Sequence, residues 1–284
     1  MNRILTALIA LPILIASIVL PYFFPQTPEL KLIFVVIAAV ALCAGLYEFF
    51  AITKKQALKA DAGLGFLGAA ALFVAFFFDA PAKFPDLLVI TLAGFVCLVL
   101  AAQSFRFQKA PDFSKMLAAV GVTVFGVLYV AFLGGHLVSM RVGFENQPDL
   151  STKLLSFFFL VLMGADIAAL YTGKTIGKHK LAPKISPGKT WEGCAGAVLA
   201  SLGLAALASF TFFPELKWFV ALPLAAVMTV FGIIGDLAES AIKRGAGAKD
   251  AANILPGHGG LLDRLDSLLF NAPLLYYFAR FYFQ

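Results

Sequence analysis

Stretches of roughly 20 apolar residues without a charge recur along this chain, and each is long enough to cross ~30 Å of hydrocarbon. With 61% hydrophobic residues, 13% charged residues and 30 phenylalanines in 284 positions, the chain lacks the polar surface that a soluble globule of this size needs. Its mean hydropathy is +0.91. The runs are continuous rather than alternating, so they read as helices, which satisfy their backbone groups internally, and not as barrel strands. Breaks at proline, glycine and charge clusters delimit about nine spans, at 4–24, 31–52, 62–78, 86–105, 116–134, 153–173, 191–213, 217–238 and 264–283. The expectation is an all-α, polytopic membrane protein with about nine transmembrane helices.

Basic residues set the orientation. With a cytoplasmic N-terminus, Arg3, the cluster Lys54, Lys55 and Lys59, the set Arg106, Lys109 and Lys115, five lysines between 174 and 189, and Lys243, Arg244, Lys249 and Arg264 all fall on one side. Lys31, Lys83, Arg141, Lys153, Lys217 and Arg280 are left for the other, a bias that predicts N-in and C-out. The polar loops 174–190 and 237–263 are then cytoplasmic, where nucleotides are. The net charge of +6 is spread over short loops between apolar runs. That pattern suits membrane lipid headgroups and argues against nucleic acid as a partner.

The first 24 residues have the charged start and apolar body of a signal peptide, but no small-x-small cleavage site follows, so an uncleaved first helix is expected. Cys43, Cys97 and Cys194 lie in apolar runs without CxxC spacing and read as small core residues, neither disulfides nor zinc ligands. There is no internal repeat. The simplest organisation is one integral membrane domain over 1–284, in which 1–150 supply helices of unassigned role and 151–284 carry the chemistry.

Two polar islands interrupt the apolar pattern. The first is SAIKRGAGAKDAANILPGHGGLLDRLD, from Ser240 to Asp266. Asp250, Asp263 and Asp266 can hold a hard cation, Lys243, Arg244, Lys249 and Arg264 can neutralise phosphates, and Gly257, Gly259 and Gly260 let backbone N–H groups approach an anion. Just before it, Asp236 lies at the end of a long apolar helix. At i, i+4 and i+7, Asp236, Ser240 and Lys243 share a helical face, with Glu239 beside them. Alone, Asp236 reads equally well as a charge reaching the interface. Asp263 and Asp266, at i and i+3 near the start of the last helix, share a face too, and capping accounts for only one of them. Asp236 and Asp263 meeting across two helices would suit Mg²⁺. His258 either orients its loop or donates to a phosphate, and Lys249 and Asp250 form either a solvated ion pair or a ligand contact.

The second island, ADIAALYTGKTIGKHKLAPKISPGKTWEG, runs from 165 to 193 and has Asp166, another carboxylate inside an apolar run, as its second residue. Its SPGKT segment is similar to a phosphate-cradling loop without Walker A spacing, and Ser186 or Thr190 is placed to cap the next helix. The plainer reading is a topogenic basic loop. A transporter would also carry charges in apolar helices, but with repeat symmetry and broken helices at midplane, whereas these charges gather at one face.

Over residues 164–270 the two islands resemble the phosphatidate cytidylyltransferases, also called CDP-diacylglycerol synthases, of bacterial type. One departure is Leu170, followed by Tyr171, where such enzymes usually place a tyrosine four residues after the aspartate. The resemblance implies a Mg²⁺-dependent condensation of CTP with phosphatidic acid to CDP-diacylglycerol and pyrophosphate, in a multi-pass homodimer of the cell inner membrane with its active site facing the cytoplasm. It implies Asp236 and Asp263 as the main metal ligands, Asp250, Asp266 and Asp166 as further ones, and a second metal ion as an option. Asp236, Asp263, Lys243 and Lys249 become the catalytic group. Ser186, Lys189, Thr190, Ser240, Arg244, His258 and Arg264 become the substrate-binding set.

Overall fold

The computed structural model describes residues 2–55, 60–78, 86–108, 112–144, 147–247 and 260–283. These form α1 (Asn2–Phe23), α2 (Lys31–Lys55), α3 (Ala62–Phe78), α4 (Leu87–Arg106), α5 (Phe113–Gly126), α6 (Leu133–Val142), α7 (Pro148–Thr175), the strands β1 (Lys180–Ala182) and β2 (Ser186–Thr190), α8 (Trp191–Phe210), α9 (Trp218–Gly245) and α10 (Leu262–Phe283). A π-helical stretch, Val127–Phe132, joins α5 to α6, so 113–142 runs as one rod. The protein is an all-α, polytopic membrane protein. Among the described residues, six helices are long and apolar enough to cross a bilayer: Pro28–Lys54, Leu87–Arg106, Phe113–Val142, Asp149–Thr175, Trp191–Phe210 and Trp218–Gly245. Ala10–Phe23 and Ala62–Phe78 are shorter apolar helices.

The rods occupy the expected runs; α7 and α9 extend past theirs, α3 matches its own, and α8 ends at Phe210, short of the expected 213. The charges at 239–244 form the last turns of α9, because a helix end can carry polar side chains out of the hydrocarbon while keeping its hydrogen-bond ladder. The second polar island is not a loop throughout. β1 and β2 pair antiparallel, Lys180 with Thr190 and Ala182 with Ser186, around a turn at 183–185. Pro187 fits this two-stranded ribbon because an edge position needs no donor.

The core is built from α7, α8, α9 and α10, with α1, α2 and α6 packed on its flank. Glycines allow the closest approaches. A Cβ on Gly235 of α9 would lie 2.5 Å from the backbone oxygen of Asp266 in α10, so only glycine lets these two helices meet at that level.

A buried charge holds the end of the bundle away from the polar islands. Arg141 of α6 is fully buried, and its Nη2 donates to the carbonyls of Ser17 at 2.9 Å and Ile18 at 3.2 Å. Pro21 explains why the first is free: proline has no N–H to give to the carbonyl four residues earlier, and Arg141 supplies the donor instead. Ser151 and Thr152 of α7 take Nη1 at 3.4 and 3.2 Å.

The cysteine expectation needs correction. Cys43 and Cys97 are exposed on the outer surface of the bundle and Cys194 is half-buried; all three are free thiols. In a chain whose surroundings are lipid, an apolar run marks the membrane and not the core, so small residues face either way.

Candidate active site

α7, α9 and α10 bring their carboxylates to one end of the bundle. Asp166 and Asp236 each sit nine residues before the end of their helix, at Thr175 and Gly245, hence about 13 Å inside it. Asp263 and Asp266 lie in the first turns of α10, which begins at Leu262. The antiparallel run of α9 against α10, and the Gly235 contact, put Asp236 beside Asp266.

Each of the two principal carboxylates has its own lysine. Lys189, from the last residues of β2, reaches into the helices and places Nζ 2.7 Å from Asp236 Oδ2, while donating to the Ile233 carbonyl at 3.4 Å. Ser240 Oγ donates to Asp236 Oδ1 at 3.4 Å, the contact its i, i+4 spacing predicts. Lys243 does not turn back to Asp236. It bridges helices, with Nζ 2.8 Å from Asp263 Oδ1 on α10 and 2.8 Å from Glu239 Oε2 one turn behind it.

Arg244 Nε donates to the Ile185 carbonyl at 3.3 Å, so it pins the tip of the β-ribbon over the end of α9. Thr190 is the N-cap of α8, accepting from Gly193 N–H at 3.1 Å, and it is buried. Ser186, paired with Ala182 in the ribbon, has no cap to make. At the other base of the ribbon, Glu192 Oε1 takes His179 Nδ1 at 2.6 Å and both its oxygens accept from His179 N–H. The SPGKT segment is therefore a braced strand that delivers Lys189.

Asp266 is buried, and its Oδ1 accepts from the Ser267 N–H at 2.6 Å. It is within electrostatic reach of Asp236, Asp166 and Lys189, and Asp166 is within reach of Asp236, Lys189 and Arg264. Neither Asp166 nor Asp266 touches a cation among the described residues. Arg264 is exposed and its guanidinium makes no hydrogen bond or ion pair among them either, which leaves its fork open to an anion. Lys249, Asp250 and His258, with Gly257 and Gly259, lie outside the described residues. No three Asp, Glu, His or Cys side chains converge as a metal-ligand group among those described. The donors that do face one another are hard carboxylate oxygens, the type Mg²⁺ takes one or two of before completing its shell with phosphate and water.

Two residues here, Glu48 and Tyr129, escaped the sequence reading, and a third, Glu239, was placed there beside Asp236 and Ser240 without a role. Glu239 is 1% exposed and wedged against Lys243. Glu48, on α2, accepts from the backbone N–H groups of Leu261 at 2.9 Å and Leu262 at 2.7 Å, so α10 is capped by α2 and not by Asp263. Tyr129 belongs to the π-helical stretch and is packed against Phe270; its buried hydroxyl, within electrostatic reach of Asp266, Glu239, Asp236 and Asp263, has no hydrogen-bond partner among the described residues. A charged residue inside an apolar run was the available signal for Glu48 and Glu239. Tyr129 carried none.

Comparison with known proteins follows the same line. The model of the cytidylyltransferase family matches residues 1–282. The chain is similar to the phosphatidate cytidylyltransferase of Bacillus subtilis, 34% identical over 186 residues that make up 66% of each protein. It is similar to that of Staphylococcus epidermidis, 36% identical over 66% of this chain and 68% of the relative. With that of Brucella suis it shares 44% identity over 54% of this chain and 55% of the relative. The matched stretches thus span between 55% and 68% of these relatives' length.

Proposed function

The chain belongs to the cytidylyltransferase family, and from that premise we propose that it transfers a cytidylyl group from CTP to phosphatidic acid, giving CDP-diacylglycerol and pyrophosphate. A phosphatidate oxygen attacks the α-phosphorus of CTP, the bond from that phosphorus to the bridging oxygen breaks, and pyrophosphate leaves with the electron pair. The nucleophile is already anionic at neutral pH, so the protein has to overcome repulsion between two anions and stabilise the departing charge.

The observation that carries this reading is the pair of cross-element contacts, Lys189 with Asp236 and Lys243 with Asp263, at one end of the bundle. Lys189, Lys243 and the open Arg264 supply positive charge for the triphosphate and the lipid phosphate; Ser240, Arg244 and the ribbon keep those cations in place. Asp236 and Asp263 are the residues that would hold Mg²⁺, with Asp266 and Asp166 beside them, and the ion would supply further neutralisation of phosphate charge. The buried carboxylate of Asp266, which touches no cation among the described residues, supports that assignment, because buried negative charge without a cation is costly.

The same reading takes the chain as a nine-span protein of the inner membrane with a cytoplasmic N-terminus and active site, supported by the bias of basic residues towards that end. A homodimer belongs to it as well and rests on the family resemblance. The test is CTP turnover by the purified protein with phosphatidic acid and Mg²⁺, read by mass spectrometry of the lipid. Formation of CDP-diacylglycerol is expected; turnover with a polyprenyl or ether-linked lipid phosphate and none with phosphatidic acid would reassign the acceptor.

A further inference from the structure

We propose that Glu48, in the N-terminal half to which no motif assigns a role, is a positioning residue of this active site: it sets the first turn of α10, and through it Asp263, against Lys243. The proposal rests on the reading of the site given above.

The first backbone N–H groups of a helix have no partner within it, and α10 starts directly at the residues that carry the chemistry. Its two leading amides, Leu261 and Leu262, are both taken by the two oxygens of one carboxylate, Glu48 Oε1 and Oε2, at 2.9 and 2.7 Å. Glu48 is completely buried, on α2, more than 200 positions away in the chain. An aspartate or serine at the helix start would cap it locally and move with it. A carboxylate from another helix fixes the turn relative to the bundle instead.

Packing confirms that the two helices are seated together at this level. One turn before Glu48, a Cβ on Gly45 would lie 3.0 Å from Leu265 Cδ1 and 3.8 Å from Leu262 Cδ1, so glycine there lets α2 lie directly on the first turn of α10. Asp263 is the next residue after the second bonded amide, and its carboxylate meets Lys243 at 2.8 Å. The negative charge also occupies the positive end of α10, so substrate phosphates do not compete for it and remain with the lysines and Arg264.

Glu48→Gln tests this with little change of volume. The amide oxygen can keep one of the two N–H donors, whereas its NH₂ opposes the other. Amide exchange in residues 261–266 should rise roughly tenfold, as expected for losing one charged hydrogen bond, with α7 and α8 unchanged. The Mg²⁺ concentration for half-maximal turnover should rise about tenfold as Asp263 is displaced. Partial unfolding does not mimic this shift, since it only scales the active fraction. Glu48→Asp, with both oxygens kept on a shorter arm, should exchange more slowly than Glu48→Gln. Unchanged protection of 261–266 in Glu48→Gln overturns the cap, and faster exchange with unaltered Mg²⁺ dependence overturns its role in the reaction. A wild-type protein inactive with CTP and phosphatidic acid defeats the proposed function instead, and the exchange measurement still decides the cap.

Discussion

Lys189 Nζ stands 2.7 Å from Asp236 Oδ2 although 47 positions separate them, so the strand that ends the cytidylyltransferase's β-ribbon and the polar end of α9 form one electrostatic unit. Removing either partner leaves the other with an unbalanced charge in a partly buried setting.

Lys189→Ala should therefore cut kcat/KM for CTP by about 10–100-fold while the protein still inserts and purifies, because the side chain touches the site and not the helix core. Combined with Arg264→Ala, the loss should be less than the sum of the separate losses if both hold the same nucleotide, which a double-mutant cycle measures. Wild-type CTP kinetics in Lys189→Ala would remove it from the site.

Asp263→Asn should abolish turnover at ordinary Mg²⁺ without preventing folding, since the substitution keeps the volume and loses the charge. Lys243→Met should be the more damaging of the two for stability: it leaves Asp263 and the buried Glu239 facing each other without their shared cation. Detergent-solubilised thermal unfolding of the two variants ranks them, and the reverse order contradicts this account.

Gly235→Ala should destabilise by about 1–3 kcal/mol, because the added methyl group meets backbone, the Asp266 carbonyl at 2.5 Å, and backbone cannot step aside. Activity should fall along with stability, as the shift separates Asp236 from Asp266. A control at Gly203, where a Cβ meets nothing within 4 Å, should be neutral.

A single cysteine at Lys180, in a background lacking Cys43, Cys97 and Cys194, should resist membrane-impermeant thiol reagents in intact cells and react after the membrane is opened. A second at Ala248 should behave alike. Labelling of either from outside would reverse the orientation and exclude access to cytoplasmic CTP.

How much was legible varied with the kind of signal. The rods were legible because hydrocarbon demands long charge-free helices, and six of them pass that test on length and composition. Asp236 and Ser240 were legible because i, i+4 spacing is local geometry, and their contact is present. The same spacing suggested that Lys243 shares a site with Asp236 along one face, yet it pairs with Glu239 and crosses to Asp263. The ribbon at 180–190 was hidden in a segment that reads as a basic loop, since its strands are short and broken by Pro187.

By itself, the sequence determined the solvent of this protein, its all-α class, the rough limits of its apolar helices and the two polar islands that interrupt them. Those properties depend on composition and on spacing within single elements. Tertiary structure alone decided which carboxylate meets which lysine, that α2 caps α10 through Glu48, that the Tyr129 hydroxyl is buried within electrostatic reach of the acidic residues, and that Cys43 and Cys97 face outward. The physical reason is that lipid and protein core are equally apolar, so hydrophobic pattern cannot mark which face of a membrane helix is buried. Helix faces are chosen instead by close contacts such as Gly235 with Asp266, which join residues that no local spacing relates.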